Sequence, residues 1–166
     1  VADSVRLVRD LADLLGVENA GIELDKRGFI HTNERLETSV KDIYAVGDAN
    51  GRQMFTHVAN REALIASENL LHDAGLKMSY DAVPHAVYSH PQIAAVGLTE
   101  EQARQSHDIL IARVPYTDVA KGEAMMEREG FAKAIVDKES MKILGFHIIG
   151  PFAPTLIQEV VNAMTS

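Results

Sequence analysis

Thr38-Ser39-Val40-Lys41-Asp42-Ile43-Tyr44-Ala45-Val46-Gly47-Asp48 is the stretch on which the reading of this chain turns. Its Ile43 to Val46 portion is a continuous apolar run ending at Gly47-Asp48, the pattern of a strand buried on both faces of a parallel sheet. Such strands put their ligands at the carboxyl end. Here that end carries a glycine, which lets backbone approach a ligand closely, and then a carboxylate, which accepts hydrogen bonds from sugar-alcohol hydroxyls. Eight residues beyond Asp48, Thr56 opens a segment of helical periodicity. The exposed amides and positive dipole end of such a helix suit electron-rich oxygen or nitrogen atoms of a ring system. Strand, Gly-Asp and helix start together predict one cradle. A Gly-Asp after a strand, taken alone, is more often turn punctuation than a site.

Working outward, Ile22-Glu23-Leu24 and Phe29-Ile30-His31 flank the turn-rich tetrad Asp25-Lys26-Arg27-Gly28, which predicts a small β-hairpin. Val5 to Leu15 mixes apolar and charged residues at helical spacing and stops at Gly16, as a short helix or irregular lead-in would. From His57 to His72 the residues Ala59, Ala63, Ala66 and Leu70, joined by Leu64 and Leu71, predict a helix buried on that face. Thr56 is its expected N-cap and Gly75 its stop. Met78, Ser79, Tyr80, Asp81 and Pro84 break the pattern, so residues 1–76 form one region, 77–84 a linker and 85–166 a second domain.

Beyond the linker, strand and helix signals alternate. Ala86 to Tyr88 and Ile93 to Val96 read as strands around a Ser89-His90-Pro91 break, followed by Thr99 as the N-cap of an acidic first helical turn. Ile109 to Val114, Phe131 to Val136 and Lys142 to Ile149 carry the β-branched and aromatic residues of an antiparallel sheet, with Asp137 to Ser140 as a polar turn. A last helix with Pro154 near its start bears the stripe Leu156, Ile157, Val160, Val161 and Met164. The expected class of this half is α+β.

Composition narrows the function. The formal charge is -8, from 16 basic and 24 acidic residues, and the basic ones are scattered singly, which disfavours nucleic acid as a partner. Apolar runs stop far short of the ~20 residues of a membrane span. Absence of cysteine removes disulfides, thiolate metal sites and cysteine nucleophiles from these residues. The seven histidines are spread apart and none pairs with a carboxylate at zinc-helix spacing, so no metal site is expected. A serine hydrolase is disfavoured because no Gly-x-Ser-x-Gly elbow occurs.

The Thr38 to Asp48 stretch resembles the second flavin-binding motif of the pyridine-nucleotide disulfide oxidoreductases, the family of dihydrolipoamide dehydrogenase, glutathione reductase and mercuric reductase. The resemblance runs on through Tyr88-Ser89-His90-Pro91 to Thr99-Glu100, Ala120-Lys121-Gly122-Glu123-Ala124-Met125, and Gly130-Phe131. Ile143 to Pro151 and Leu156-Ile157-Gln158-Glu159-Val160 follow in the family's order, so Leu14 to Met164 is covered, most similar to the dihydrolipoamide dehydrogenase branch. The resemblance implies a fragment of an FAD-binding α/β domain followed by a dimerisation domain, an antiparallel sheet with flanking helices. It implies an FAD-dependent NAD(P)-disulfide oxidoreductase as parent, a cytoplasmic homodimer acting on a disulfide or dithiol small molecule or a lipoyl protein. By the same resemblance Asp48 would bind the ribityl chain of FAD beside Gly47, also a cofactor-binding residue, and Met54, Phe55, Thr56 and His57 would line its ring.

Departures from the family pattern set limits. The Gly-Arg-x-Pro-Asn expected before Asp13-Leu14-Leu15-Gly16 is replaced by Leu7-Val8-Arg9-Asp10-Leu11-Ala12, so no nicotinamide-contacting residue is assigned. The G-x-G-x-x-G fingerprint, the redox Cys-x4-Cys and the terminal His-Pro-x3-Glu are not in the sequence, so no residue here is expected to be catalytic and the isolated chain is expected to be inactive. The alternatives are a non-catalytic dimerisation module, or a mycothione, glutathione or mercuric reductase as parent. The stripe from Leu156 to Met164, beside Ile148-Ile149, is the expected self-association surface.

Overall fold

The computed structural model describes Asp10 and residues 13–166. They fall into two compact units, the first ending at Ser79 and the second spanning Tyr80–Ser166. Of the lead-in expected over residues 5–15, Asp10 and residues 13–15 are helical, and the remainder lies outside the described residues.

In the first unit the expected hairpin is present, reduced to one antiparallel bridge between Leu24 and Ile30. The turn is held locally: Asp25 Oδ1 accepts the amides of Arg27 (2.8 Å) and Phe29 (3.0 Å), and Gly28 takes a φ of 86° that other residues rarely adopt. Ile43 to Val46 departs from expectation. Instead of sitting in a parallel sheet, it pairs antiparallel with the segment just before it, through the Glu37–Tyr44 bridge and hydrogen bonds from Thr38 N–H to the Ile43 carbonyl (2.9 Å) and from Ala45 N–H to the Leu36 carbonyl (3.2 Å). Only Ala45 of the four is buried. Parallel pairing needs a second strand brought alongside by a crossover. Among the described residues of this unit no such strand is present.

That helix, α1 (Thr56–His72), begins one residue earlier than read, with Phe55 rather than Thr56 as N-cap. It closes at Asp73, in the left-handed region with φ 46°, before Gly75 is reached. Its inner face is also not the one expected. Val58, Glu62, Ile65, Ala66 and Asn69 are buried, whereas Leu64, Leu70 and Leu71 are 61%, 54% and 71% exposed. Counting apolar residues placed the face wrongly because two of the inward positions are polar. Asn69 earns its place by bonding: its amide donates to the Arg35 and Leu76 carbonyls and its oxygen accepts the Leu76 N–H. Met78 is likewise tied to this unit, donating its N–H to Glu34 O at 2.8 Å.

The second unit is one antiparallel sheet with helices. Strands β1 (His85–Val87), β2 (Ile93–Gly97), β3 (Ile109–Pro115), β4 (Phe131–Asp137) and β5 (Ile143–Ile149) lie in the order β1-β2-β5-β4-β3. One row crosses all five strands: His85 faces Ala95, which faces His147, then Lys133, then Arg113, while the β4–β5 register shifts at Ile135/Val136. One face therefore carries a polar and basic row. The alternate residues Ala94, Val96 and Ile148 form the core with Ala153 and Ile157 of the last helix, the rule that strand side chains alternate faces. Helix α2 (Glu100–Arg104) starts at Thr99 with a reciprocal capping box to Gln102, as its sequence predicts. Helix α3 (Ala120–Ala124) follows β3, and α4 (Ala153–Thr165) closes the unit with Pro154 in its first turn.

The stripe of α4 points mostly inward. Ile157 is 3% exposed, and Val160, Val161 and Met164 pack half-buried on the unit's own sheet, while Leu156 remains 47% exposed. The stripe is thus divided, most of it packed on the unit's own sheet and Leu156 turned outward. Ile157→Ala should lower the stability of this unit by about 2–5 kcal/mol, and Leu156→Ala by about 1 kcal/mol or less. Urea denaturation of the two variants checks this; equal losses would mean the helix is rotated from the orientation described.

Candidate functional site

The six residues singled out by sequence all lie in the first unit, in two segments that meet on α1. Gly47 begins a 3-10 turn, Gly47–Asn50, and adopts φ 65°. A Cβ there would stand 3.1 Å from the Cβ of Ala59, so the absence of a side chain lets the turn lie close on the helix. Asp48 follows with its carboxylate exposed. The turn closes by Gly51 N–H donating to the Asp48 carbonyl at 3.1 Å, and Gly51, φ 65°, rests over the Phe29 ring.

Two residues that the sequence reading passed over hold this turn. Glu62, fully buried on α1, accepts the Gly47 N–H and, through the same oxygen, the side-chain amide of Asn50 at 2.9 Å. Asn50 is itself buried, and its oxygen accepts the Arg52 N–H at 3.0 Å. Arg52 then reaches the Thr32 carbonyl with its guanidinium at 2.6 Å. A signal was available. Glu62 stands four residues from Val58 and Ala66 and three from Ile65 on one helical face, and a carboxylate in such a position must find donors.

The second segment leads into α1. Met54 and Phe55 are half-buried, Thr56 and His57 exposed, and the Phe55 and His57 rings stack at 5.6 Å between centroids with planes 15° apart. No side chain caps the helix start, and no acidic residue lies in its first turn. The Phe55 carbonyl accepts Val58 N–H and Ala59 N–H. The amides of Thr56 and His57 are among those a helix leaves without an intrahelical acceptor. An exposed carboxylate on a turn and an uncapped helix start, both fixed to one helix, can together hold a group with hydroxyls at one end and acceptor atoms at the other.

A polar recess of about 570 Å³ lies elsewhere in this unit, lined by Arg35, Glu37, Ser39, Tyr44 and Asp73 among others. Arg35 bridges Asp73 (2.9 Å) and Glu37 (3.4 Å), so its charge is already matched. The Tyr44 hydroxyl is pushed above its ordinary value by burial and then by Glu37. In the second unit, Tyr116, Val119, Met125, Phe152 and Leu156 surround an apolar recess of about 290 Å³. Tyr116 is set there by its hydroxyl, which donates to the Pro151 carbonyl at 2.8 Å.

Comparison with known proteins covers both units. Residues 8–63 match the family model described as pyridine nucleotide-disulphide oxidoreductase, and residues 83–166 match that family's dimerisation domain. A dihydrolipoyl dehydrogenase of Chlamydia muridarum is 37% identical over 153 residues, which are 90% of this chain and 32% of the relative. A mycothione reductase of Mycobacterium tuberculosis is 40% identical over 160 residues, 93% of this chain and 35% of the relative. Among solved structures, the HOCl-induced flavoprotein disulfide reductase RclA of Escherichia coli, as its Cu(II) complex, superposes with a TM-score of 0.77 at 31% identity, over 89% of this chain and 34% of that one. LpdA of Mycobacterium tuberculosis gives 0.81 at 25% identity, over 92% and 33%. The chain spans about a third of the length of the curated relatives it matches.

Gly47→Ala tests the seating of the turn. A non-glycine residue in the left-handed region costs about 1–2 kcal/mol, and the added methyl group crowds Ala59 besides. The variant should lose about that much stability in urea. An unchanged midpoint would show that the turn does not need its glycine.

Proposed function

The chain belongs to the pyridine nucleotide-disulphide oxidoreductase family, and from that premise we propose that it is part of an FAD-dependent NAD(P)-disulfide oxidoreductase of dihydrolipoamide dehydrogenase type. The observation that carries the reading is the Gly47-Asp48 turn bonded onto the helix whose start bears Met54, Phe55, Thr56 and His57. These residues fit FAD: Asp48 offers exposed acceptors to ribityl hydroxyls, Gly47 keeps the backbone low, and the uncapped start of α1 offers donors to the ring. Bound flavin supplies two-electron transfer between a pyridine nucleotide and a disulfide or dithiol. What this chain adds is binding and orientation. With no cysteine among the 166 residues, the dithiol of such an enzyme would come from outside them.

The substrate assigned in this reading is a lipoyl group, and mycothiol disulfide is the second reading, favoured by the 40% identity to a mycothione reductase. NAD(P) belongs to the proposal without any assigned contact in this chain. A cytoplasmic setting belongs to it too. Among the described residues no helix is long and apolar enough to cross a membrane. The test is made in the full-length protein that contains these residues. Asp48→Ala should weaken FAD about tenfold to a hundredfold, the worth of one or two hydrogen bonds to a carboxylate, with the helix signal unchanged. Flavin content that survives extensive dialysis as in the wild type would remove Asp48 from the site. Assays with lipoamide and with mycothiol disulfide then separate the two substrate readings.

Homodimerisation is the other half of the proposal, and its basis is the match of residues 83–166 to a dimerisation domain. The surface assigned to a second copy is the recess bounded by Val119, Met125, Phe152 and Leu156, whose exposures of 44%, 40%, 52% and 47% make it an apolar patch that α4 leaves uncovered. A two-fold dimer would close such a patch on itself. Leu156→Asp, at a position outside the core, should shift sedimentation at micromolar concentration from dimer to folded monomer. A variant that still sediments as a dimer would place the interface elsewhere.

A further inference from the structure

We propose that Glu62 is a positioning residue, which sets the geometry of the Gly47-Asp48 turn relative to the start of α1 and so aligns the two halves of the flavin site. The inference rests on the FAD reading of that turn. Its observation is that a single carboxylate oxygen accepts from both ends of the four-residue turn, the Gly47 N–H at its beginning and the Asn50 side-chain amide at its end. Asp48 lies between these fixed points with its side chain in solvent. The turn is thereby closed on a rigid anchor, while the group that would meet the ligand is left to project from it.

The anchor stands on the same helix as the second half of the site. Glu62 lies six residues beyond Thr56 within α1, so the turn and the Met54 to His57 segment share one rigid frame of reference. The Gly47 and Asn50 groups are both buried, and each is a donor that needs an acceptor. An apolar residue at position 62 would serve the core as well as Val58 and Ile65 do, yet it would leave those donors unpaired. A buried carboxylate is costly unless it is bonded, and here two of its bonds go to the turn. The bonding does not stop at Asn50, since Arg52 joins it to the Thr32 carbonyl and Arg27 holds the Gly51 carbonyl at 3.1 Å. The turn is therefore tied to the helix on one side and to the hairpin region on the other.

Because the two bonds to the turn end on one oxygen, Glu62→Gln can keep them through its carbonyl, whereas Glu62→Leu cannot. Amide hydrogen exchange of residues 47–51 and the FAD dissociation constant are to be measured in the full-length protein, with Asp48→Ala alongside. Glu62→Leu should speed exchange at the turn about tenfold or more and weaken FAD about tenfold, while Glu62→Gln stays within about threefold of wild type in both. Where Glu62→Leu does not fold, Asn50→Ala takes its place with an expected change of about threefold in each. Wild-type exchange in these variants would overturn the clamp. Faster exchange with unaltered FAD affinity would overturn its positioning role, and Asp48→Ala then tells why: if it weakens FAD, only the inference about Glu62 has failed, and if it does not, the flavin reading of the turn has failed with it.

Discussion

A carboxylate taken out of water has to be met by donors, and in the first unit Glu62 is met by the Gly47–Asn50 turn. That pairing places Gly47 against Ala59, leaves Asp48 exposed, and commits the inner face of α1 to a polar residue where an apolar one would be expected. Much of the unit is organised in the same manner. Asn69 closes the far end of α1 by bonding Arg35 and Leu76, and Arg52 joins the turn to Thr32. This is a unit in which buried hydrogen bonds specify how pieces of irregular backbone lie on one helix.

Such organisation explains what the sequence made legible and what it did not. Strands β3, β4 and β5 and the Thr99 capping box depend on near neighbours, on alternation of residues and on turn chemistry, and they were read within a residue or two. The Asp25 to Gly28 turn was legible for the same reason. Ile43 to Val46 was not, because an apolar run states that it will be covered without saying by what; its observed partner is the antiparallel segment from Leu36 to Thr38. The face of α1 was missed because Leu64, Leu70 and Leu71 outweighed Glu62 and Asn69 in any count of apolar residues. The Gly47–Asn50 turn and the start of α1 were legible as segments, but the residues that hold the turn on the helix were not, since Glu62 and Asn50 carry no motif of their own.

The second unit solves a different problem. Its sheet has one face given to Ala94, Val96 and Ile148, and α4 covers them with Ala153 and Ile157. Helical geometry allows only about one face of α4 to be used in this way. Leu156 adjoins Ile157 in sequence and is turned some 100° away by the helical repeat, so burial of one exposes the other. The stripe read from the sequence is thus shared between the unit's own core and an outer recess, where Leu156 joins Phe152, Val119 and Met125. Phe152 is held there by its left-handed backbone, φ 65°, and by its N–H bond to Gln92 at 3.0 Å. The apolar recess is consequently a built feature with fixed walls.

Charge chemistry points the same way as the division of labour between the units. A group that transfers protons near neutral pH needs a pKa brought toward that range. The Asp137 carboxyl moves the opposite way, held down to about 2 by the amide and hydroxyl of Ser140 and by His107. Glu100 is lowered by Arg104 and Lys133, and Glu34 by Lys77. These carboxylates close a turn or pair with surface cations. Asp137 stabilises the β4–β5 connection as an anion, so its contribution is complete above the ordinary carboxylate range and disappears as pH falls through about 2. None of the three belongs to the Gly47 to His57 site. Those three carboxylates serve local structure, while the buried bonds of the first unit run from Glu62 to the Gly47–Asn50 turn and the core of the second lies between its sheet and α4.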